Sequence, residues 1–215
     1  MPINSLIERI HQELLPELKL ESVDPHNPVI AHVVPEPWQL IGTGNYAAVV
    51  CHPSEPNWVV KVYAPGRPGW TEECEVYRRL GNHPSFSECA YSGEGFLVLK
   101  RLYGVTLYDC MHKGMLIPQR VIQDIDEALE FARSLGLNPH DVHGRNVMMA
   151  DGRGVVADVS DFLHEEPCSA WEDLRRAYYW FYLPLFSRLR IRVPYVMLDG
   201  VRLVYRWFRR LCKRA

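Results

Sequence analysis

The order of predicted elements along the 215-residue chain indicates an α+β protein with two lobes. Short apolar segments typical of strands follow one another between residues 38 and 102, and helical periodicity dominates from residue 103 onward. Hydrophobic residues make up 47% and charged residues 23% of the chain, close to globular averages, which disfavours a disordered or fibrous protein. A chain of this length can bury a core without disulfides or metal ions.

Three segments are predicted along the chain. An apolar residue at every fourth position indicates an amphipathic helix over residues 5–20, and four prolines between residues 25 and 37 indicate an extended linker. Residues 1–37 therefore form an N-terminal helix and a proline-rich linker. Residues 38–102 form a strand-rich N-lobe, and residues 103–215 form a reduced, helical C-lobe.

Within the N-lobe, short apolar segments predict strands, and one segment between them is predicted to be a helix. The strands are Gln39–Ile41, Ala47–His52, Trp58–Tyr63 and Gly95–Leu102, with a further short strand at Val29–Val34 in the linker, and the helix is Thr71–Leu80.

Within the C-lobe, apolar residues recur with helical spacing, and an Asp-Gly pair between two apolar segments predicts a hairpin. The helices are Leu107–Lys113, Pro118–Leu135, Ala170–Tyr182 and Val196–Lys213, and the hairpin strands are Val147–Met149 and Val155–Asp158 around Asp151-Gly152.

The charge of the chain is unevenly distributed. Residues 175–215 contain eleven Arg or Lys and a single acid, a net charge of +10, whereas residues 1–174 sum to −12. The two parts can neutralise each other within the fold, or the basic end can contact an anionic surface such as a membrane. The overall charge of −2 predicts no nucleic-acid partner.

The last predicted helix allows the same two interpretations. An apolar stripe of Val201, Val204, Trp207, Phe208 and Leu211 is surrounded by Arg202, Arg206, Arg209, Arg210, Lys213 and Arg214. The stripe can pack on the C-lobe while the arginines pair with the acidic part of the chain. Alternatively, the helix lies at an anionic lipid surface.

The six cysteines contain no CxxC pair, and charged residues interrupt the first twenty positions. Neither zinc-ribbon spacing nor a signal peptide is evident, and the longest apolar run is too short to span a bilayer. We expect a reduced, soluble, cytoplasmic protein.

The segment Ile41–Val49 contains a glycine-rich turn between two predicted strands. Glycines allow backbone N–H groups to approach phosphate oxygens without an intervening side chain. A dinucleotide-binding turn would be followed by a helix, whereas here a strand follows.

Lys61 lies inside an apolar strand, on the face that also carries Val59 and Tyr63. It is either an edge-strand lysine facing water or a partly buried lysine that binds an anion. The candidate anions are a phosphate and a helix carboxylate such as Glu73.

The segment from His140 to Met149 is the most specific in the chain. Asp141 can accept a proton from an attacking hydroxyl, and Asn146 can hold a cation. A zinc site at His140 and His143 lacks further ligands at suitable spacing. Asp158, predicted to close an apolar strand, offers a hard oxygen ligand for Mg²⁺, with Asp161 as the alternative.

The glycine turn, strand lysine, helix glutamate, Asp–Asn loop and strand aspartate, taken in this order over about residues 39–182, resemble the protein-kinase-like superfamily. The chain is most similar to abbreviated bacterial serine/threonine kinases, and more distantly to lipopolysaccharide and RIO-type kinases. The resemblance implies a two-lobed protein-kinase-like fold with a reduced C-terminal lobe.

The resemblance also implies an ATP-dependent phosphotransferase that acts on a hydroxyl, most often in a protein, with Mg²⁺ or Mn²⁺. It assigns ATP binding to Gly42, Thr43, Gly44, Asn45 and Val49, to Lys61 held by Glu73, and to the hinge at Lys100 and Leu102. It assigns the acceptor hydroxyl to Asp141 beside His143, and the metal to Asn146 and Asp158.

Lys100, in the hinge, stands where an acid is common in the family. Two other departures from the family pattern leave the acceptor open. His143 stands where protein kinases usually carry Lys and where small-molecule kinases carry His. Ala170 follows Asp158 by only twelve positions, which leaves little room for an activation loop. The alternatives are a small-molecule or glycolipid kinase, or a nucleotide-binding scaffold without turnover.

Overall fold

The computed structural model describes residues 2–24, 27–187 and 191–212. The chain forms two compact units. Unit 1 contains the residues up to Leu102 together with Phe131–His140 and Val159–Glu166. Unit 2 contains Tyr103–Glu130, Asp141–Asp158 and the residues from Pro167 onward.

Unit 1 contains an antiparallel five-stranded sheet of order β3-β4-β5-β7-β6. Two strands that precede this sheet in the sequence, β1 and β2, form a separate antiparallel pair. The strands are β1 Lys19–Glu21, β2 Ile30–Val33, β3 Gln39–Thr43, β4 Ala47–Cys51, β5 Trp58–Tyr63, β6 Cys89–Gly93 and β7 Phe96–Lys100. The helices are α1, which spans Pro2–Arg9 and continues in wider turns to Leu14, and α2, Trp70–Leu80.

The N-terminal helix belongs to the core of unit 1. Leu6, Ile10 and Leu14 are buried in one cluster with residues of the sheet, among them Val60 and Val62. The helix was predicted to reach residue 20 but ends at Leu14. Pro16, which lacks a backbone N–H, cannot continue the helical hydrogen bonds, and the chain pairs as β1 shortly afterwards.

Unit 2 combines helices with a small sheet of order β10-β9-β8. The strands are β8 Val105–Thr106, β9 Val147–Ala150 and β10 Arg153–Val156. The helices are α3 Leu107–Lys113, α4 Gln119–Ser134 (whose end belongs to unit 1), α5 Ala170–Ala177 with wider turns over Tyr178–Phe186, and α6 Tyr195–Cys212. The predicted α+β fold class is confirmed.

The hairpin of unit 2 forms where Asp151-Gly152 predicted it. Both residues have positive φ, 50° and 75°, as a two-residue hairpin turn requires. Gly154 then allows β10 to approach α4, because a Cβ there would lie 2.2 Å from the carbonyl oxygen of Val121. The buried Asp124 carboxylate fixes this contact by accepting from Arg153 and from the Gly154 N–H. The Arg153 hydrogen bonds lower the pKa of Asp124 to about 2.

Several predicted boundaries were wrong. β7 is shorter than the predicted Gly95–Leu102, and β10 ends at Val156, so Asp158 follows the strand instead of closing it. The helix predicted to end at Tyr182 continues to Phe186 in wider turns around Pro184. β1, β6 and β8 were not predicted. Lys213, the predicted end of the last helix, lies outside the described residues.

Of the two interpretations of the last helix, packing through the apolar stripe does not hold for the part of α6 with described side chains. Val201, Val204 and Trp207 are exposed, each by more than 60%. The remaining members of the predicted stripe and of its basic border, Arg206, Phe208, Arg209, Arg210, Leu211, Lys213 and Arg214, have side chains outside the described set. Among the described residues, no helix has both the length and the apolar content of a bilayer span.

Candidate active site

The Lys61 ammonium is held by a fully buried carboxylate in unit 1. Lys61 Nζ lies 2.9 Å from Oε1 and 2.7 Å from Oε2 of Glu73. The side chain of Lys61 is 13% exposed and that of Glu73 is 1% exposed. A buried carboxylate is costly unless it is paired, so Glu73 fixes the position of the ammonium strongly. The predicted pairing of these two residues is therefore present.

The face of the sheet on which Lys61 lies follows from the alternation of side chains along β5. Val60 and Val62 pack in the apolar cluster with α1, and Lys61 projects from the opposite face of the strand. Lys61 is paired in register with Val49 of β4 and Leu97 of β7. Of the two interpretations of Lys61, the water-facing edge lysine is thus excluded, since β5 is a central strand.

Tyr63 adds a third member to this pair, which sequence reasoning missed. Its hydroxyl donates a hydrogen bond to Glu73 Oε2. The Lys61 ammonium also lies 5.8 Å from the centroid of the Tyr63 ring. The signal was available in the sequence, because Tyr63 is two residues beyond Lys61 and therefore on the same face of β5.

The glycine-rich turn joins β3 to β4, with Thr43, Gly44 and Asn45 exposed. Neither glycine is required by the local backbone, since Gly42 and Gly44 lack a positive φ. A Cβ at Gly42 would meet no described atom within 4 Å, and one at Gly44 only the Ala47 carbonyl oxygen at 3.9 Å. The two glycines therefore leave open space over the turn, and they are not needed to avoid a steric clash.

The two predicted hinge residues of unit 1 differ in their backbone hydrogen bonds. The N–H of Lys100 donates to the Glu88 carbonyl at 2.8 Å, and its carbonyl accepts from Ser87 Oγ at 2.7 Å. The peptide groups of Leu102 have no hydrogen-bond partner within the described part of the chain. Leu102 is thus the better placed of the two to bind a ligand through its backbone.

In unit 2, a short loop presents Asp141. The residue has a positive φ of 53°, and its side chain is 51% exposed. Asn146 fixes the loop by donating from Nδ2 to the Asp141 carbonyl at 3.0 Å. This bond orients the Asn146 amide and leaves its Oδ1 as the atom that can ligand a cation.

His143 lies beside Asp141, with 3.7 Å between Nε2 and Asp141 Oδ2. Burial lowers the pKa of His143, and this effect outweighs the opposing influence of the Asp141 carboxylate. The Arg145 N–H donates to Nδ1 at 3.3 Å. The imidazole is therefore neutral near pH 7, with its proton on Nε2, the nitrogen that faces Asp141.

This lowered pKa predicts a pH dependence of stability. The unfolded chain binds a proton at His143 near pH 6.5, whereas the folded chain resists it, so the free energy of unfolding falls as the pH drops below about 6.5. In urea unfolding at pH 7.5 and pH 5.5, the wild type is expected to lose more stability than His143→Gln. Burial also lowers the pKa of His52 and His83, so both proteins share that background. Equal losses would contradict this prediction.

The predicted metal ligands Asn146 and Asp158 both lie in unit 2, and Asp161 lies in unit 1. The main chain links the first two, since the Ala157 N–H donates to the Asn146 carbonyl at 2.8 Å. Asp161 Oδ1 lies 3.2 Å from His164 Nε2. No cluster of three or more His, Cys, Asp or Glu capable of holding a metal occurs within the described ranges.

The C-terminal helix contacts this loop through polar groups that sequence reasoning also missed. Asp199 of α6 accepts from Arg145 at 2.6 Å and from the Tyr108 hydroxyl at 2.8 Å. The Arg145 guanidinium lies 4.2 Å from the centre of the Tyr108 ring. Arg202 is close enough to lower the pKa of His143. Nothing in the sequence pattern marks Asp199 except that it is the single acid in a basic segment.

No family model matches the chain. A relative in Bacillus subtilis (strain 168), named "Putative serine/threonine-protein kinase YrzF", is 32% identical over 143 residues, which are 65% of this chain. The chain has a protein-kinase-like fold. It spans 65% of the length of the Bacillus protein.

Solved structures similar to this kinase-like chain include the kinase domain of PknI from Mycobacterium tuberculosis, with 22% identity and a TM-score of 0.44, covering 60% of each chain. A mutant of that domain is 23% identical, with a TM-score of 0.44, covering 60% of this chain and 59% of the mutant. The predicted resemblance to the protein-kinase-like superfamily is confirmed. The roles of the individual site residues stay predictions.

Proposed function

We propose that this protein is an ATP-dependent phosphotransferase that moves the γ-phosphoryl group of ATP to a serine or threonine hydroxyl of a protein. The observation that carries the proposal is the ammonium of Lys61 held at 2.7 and 2.9 Å by the buried Glu73 carboxylate. A cation fixed on a sheet face by a costly buried acid suits phosphate oxygens, which need a positive charge in a fixed position.

The groups of unit 1 would bind the nucleotide. Lys61 would hold the α- and β-phosphates, and the open turn of Gly42, Thr43, Gly44 and Asn45 would offer backbone N–H groups to phosphate oxygens. Val49, in register with Lys61, would contact the nucleotide from β4. The peptide groups of Leu102 are available to bind the adenine, more than those of Lys100.

The groups of unit 2 would act on the acceptor. The bond between the γ-phosphorus and its bridging oxygen breaks, and a bond from the acceptor oxygen to the phosphorus forms. The proton of the acceptor hydroxyl would pass to the Asp141 carboxylate, which is 51% exposed and lies 3.7 Å from Nε2 of His143. Neutral His143, whose Nε2–H faces this carboxylate from beyond hydrogen-bond distance, would stabilise the charge of Asp141 electrostatically.

The donor set fits Mg²⁺ or Mn²⁺. Asn146 Oδ1 is oriented by the bond from Nδ2 to Asp141, and Asp158 supplies a carboxylate, so both ligands are the hard oxygens that these cations prefer. When bound, the cation would neutralise charge on the phosphates. Two protein ligands are usual for Mg²⁺ at nucleotides, because phosphate oxygens and water complete the coordination.

The name of the Bacillus relative, a putative serine/threonine-protein kinase, supports a serine or threonine acceptor. His143 favours the second candidate, a small-molecule or glycolipid hydroxyl, because this position carries His in small-molecule kinases. The cytoplasmic location expected from the sequence stays a prediction.

The proposal is tested with γ-labelled ATP, the full chain and dephosphorylated casein as acceptor, in Mg²⁺ or in EDTA. We expect label in casein or in the protein itself only with the metal. Nucleotide binding without label transfer to any hydroxyl would instead indicate a scaffold.

Aspartate variants locate the metal ligand. Asp158→Asn is expected to weaken Mg²⁺-dependent ATP binding by at least about tenfold, because it removes a charged ligand. Asp161→Asn is the matched control and should bind almost as the wild type does, as measured by titration calorimetry. The reverse ranking would move the metal to Asp161.

A further inference from the structure

The helix α6 is attached to unit 2 by its polar side. Asp199 contacts Arg145 and Tyr108, and the Tyr205 hydroxyl donates to Asp173 Oδ2 at 2.8 Å. The Tyr195 hydroxyl donates to Asp109 at 2.9 Å. Positions 195, 199, 202 and 205 lie on one side of a helix, so the docked side of α6 is the polar one.

The opposite side of α6 is apolar and exposed. It includes Val196, Met197, Val201, Leu203, Val204 and Trp207, and Val196 is 83% exposed. A surface helix of a globular protein normally buries this side and exposes the polar one. The orientation of α6 is thus the reverse of an ordinary docked helix, and a row of apolar residues of this length usually marks an interaction surface.

The continuation of α5 shows the same arrangement independently. Tyr178 and Tyr182 are buried, and their hydroxyls bond to the backbone of Ile117. Trp180, Phe181 and Leu185 project elsewhere and are exposed, Trp180 by 70%. Two helices of unit 2 therefore each present large apolar side chains to solvent.

Charge decides which partner fits these surfaces. Residues 175–215 carry a net charge of +10. A second copy of this chain would bring two such segments together, and their repulsion disfavours that pairing. An anionic bilayer attracts the arginines, while tryptophans and aliphatic side chains enter the boundary between headgroups and acyl chains.

We propose that the outer sides of α6 and of the α5 continuation, which we call the apolar surface, bind anionic lipid bilayers. The helices would lie in the plane of the membrane, with the aliphatic residues and Trp180 and Trp207 in the headgroup boundary, and the net charge of +10 over residues 175–215 would attract the anionic headgroups. This inference does not depend on the proposed phosphotransfer.

The test is flotation of the full chain with phosphatidylcholine vesicles, with or without about 30 mol% phosphatidylserine. We expect at least about tenfold more binding to the anionic vesicles at about 50 mM salt, and a clear loss at about 500 mM. Binding to neither vesicle, or equal binding to both, would overturn the proposal. Because no ATP is used, failure here is separate from failure of the proposed function.

Val204→Gln/Trp207→Gln is expected to reduce binding about fivefold or more, since both side chains are exposed and serve the lipid contact rather than the fold. The matched control is Val23→Gln/Ile30→Gln, which changes two exposed apolar residues of unit 1 and should bind as the wild type does. Circular dichroism confirms that both variants are folded. Unchanged vesicle binding by the α6 variant would contradict the lipid assignment. So would a wild-type protein that forms a dimer and binds no vesicles, if the α6 variant is a monomer.

Discussion

Asp141→Asn is expected to lower the rate of phosphoryl transfer by about 100-fold or more, with the fold intact. The carboxylate would accept the proton of the attacking hydroxyl, and an amide in its place accepts no proton at neutral pH. Asn is also the residue type best suited to replace Asp141, because Asn tolerates the left-handed backbone that a φ of 53° imposes. The rate is measured as initial transfer of labelled phosphate at saturating ATP.

Asp151→Asn is the matched control for this change. Asp151 is also exposed and has a φ of 50°, but it lies in the turn of the β9–β10 hairpin and has no assigned role in transfer. We expect its rate and its melting temperature to equal those of the wild type. Equal rates for Asp141→Asn and Asp151→Asn would remove Asp141 from the proposed reaction.

Lys61→Ala is expected to reduce phosphoryl transfer on the order of 100- to 1,000-fold, because a fixed charge at the phosphates acts mainly in the transition state. The change also leaves the buried Glu73 carboxylate without its cation, and breaking a buried pair can cost about 3–5 kcal/mol of stability. Transfer is therefore measured together with thermal unfolding.

A second variant separates the two effects of that change. Lys61→Met/Glu73→Gln removes both charges, keeps the side-chain volumes and retains an acceptor for the Tyr63 hydroxyl, so we expect a stable protein without transfer. The control Lys19→Ala removes an exposed strand lysine of unit 1 and should keep full activity. Transfer at the wild-type rate by the folded double variant would refute the role of Lys61.

Strong local signals predicted the parts of the molecule that depend on neighbouring residues. The alternation around Lys61 predicted its face of β5, and Asp151-Gly152 predicted the hairpin, because each pattern is fixed by backbone geometry over a few residues. The spacing of Asp141 and Asn146 predicted one loop for the same reason.

Features that depend on distant packing were missed. β8 has only two residues and forms because β9 offers it a partner, so Val105–Thr106 carries no pattern of its own. Arg120 and Asp124 have the i, i+4 spacing that is typical of an exposed ion pair on a helix, but Asp124 is buried against β10. The amphipathic pattern of α6 was recognised, but such a pattern states only that two sides differ and not which one meets the protein.

Because α6 is docked by its polar side, its two sides face different environments. On one side Asp199 accepts from Arg145, the residue before Asn146, while on the other side Val204 and Trp207 are exposed to solvent. Thermodynamic linkage is reciprocal, so if a ligand on the outer side stabilised α6 in its docked position, the same free energy would favour the loop arrangement in which Asp199 accepts from Arg145. A substrate that stabilised this loop arrangement would favour, by the same free energy, the contact made by the outer side of α6. Membrane binding and the arrangement of the Asp141 loop would then depend on the same conformational equilibrium.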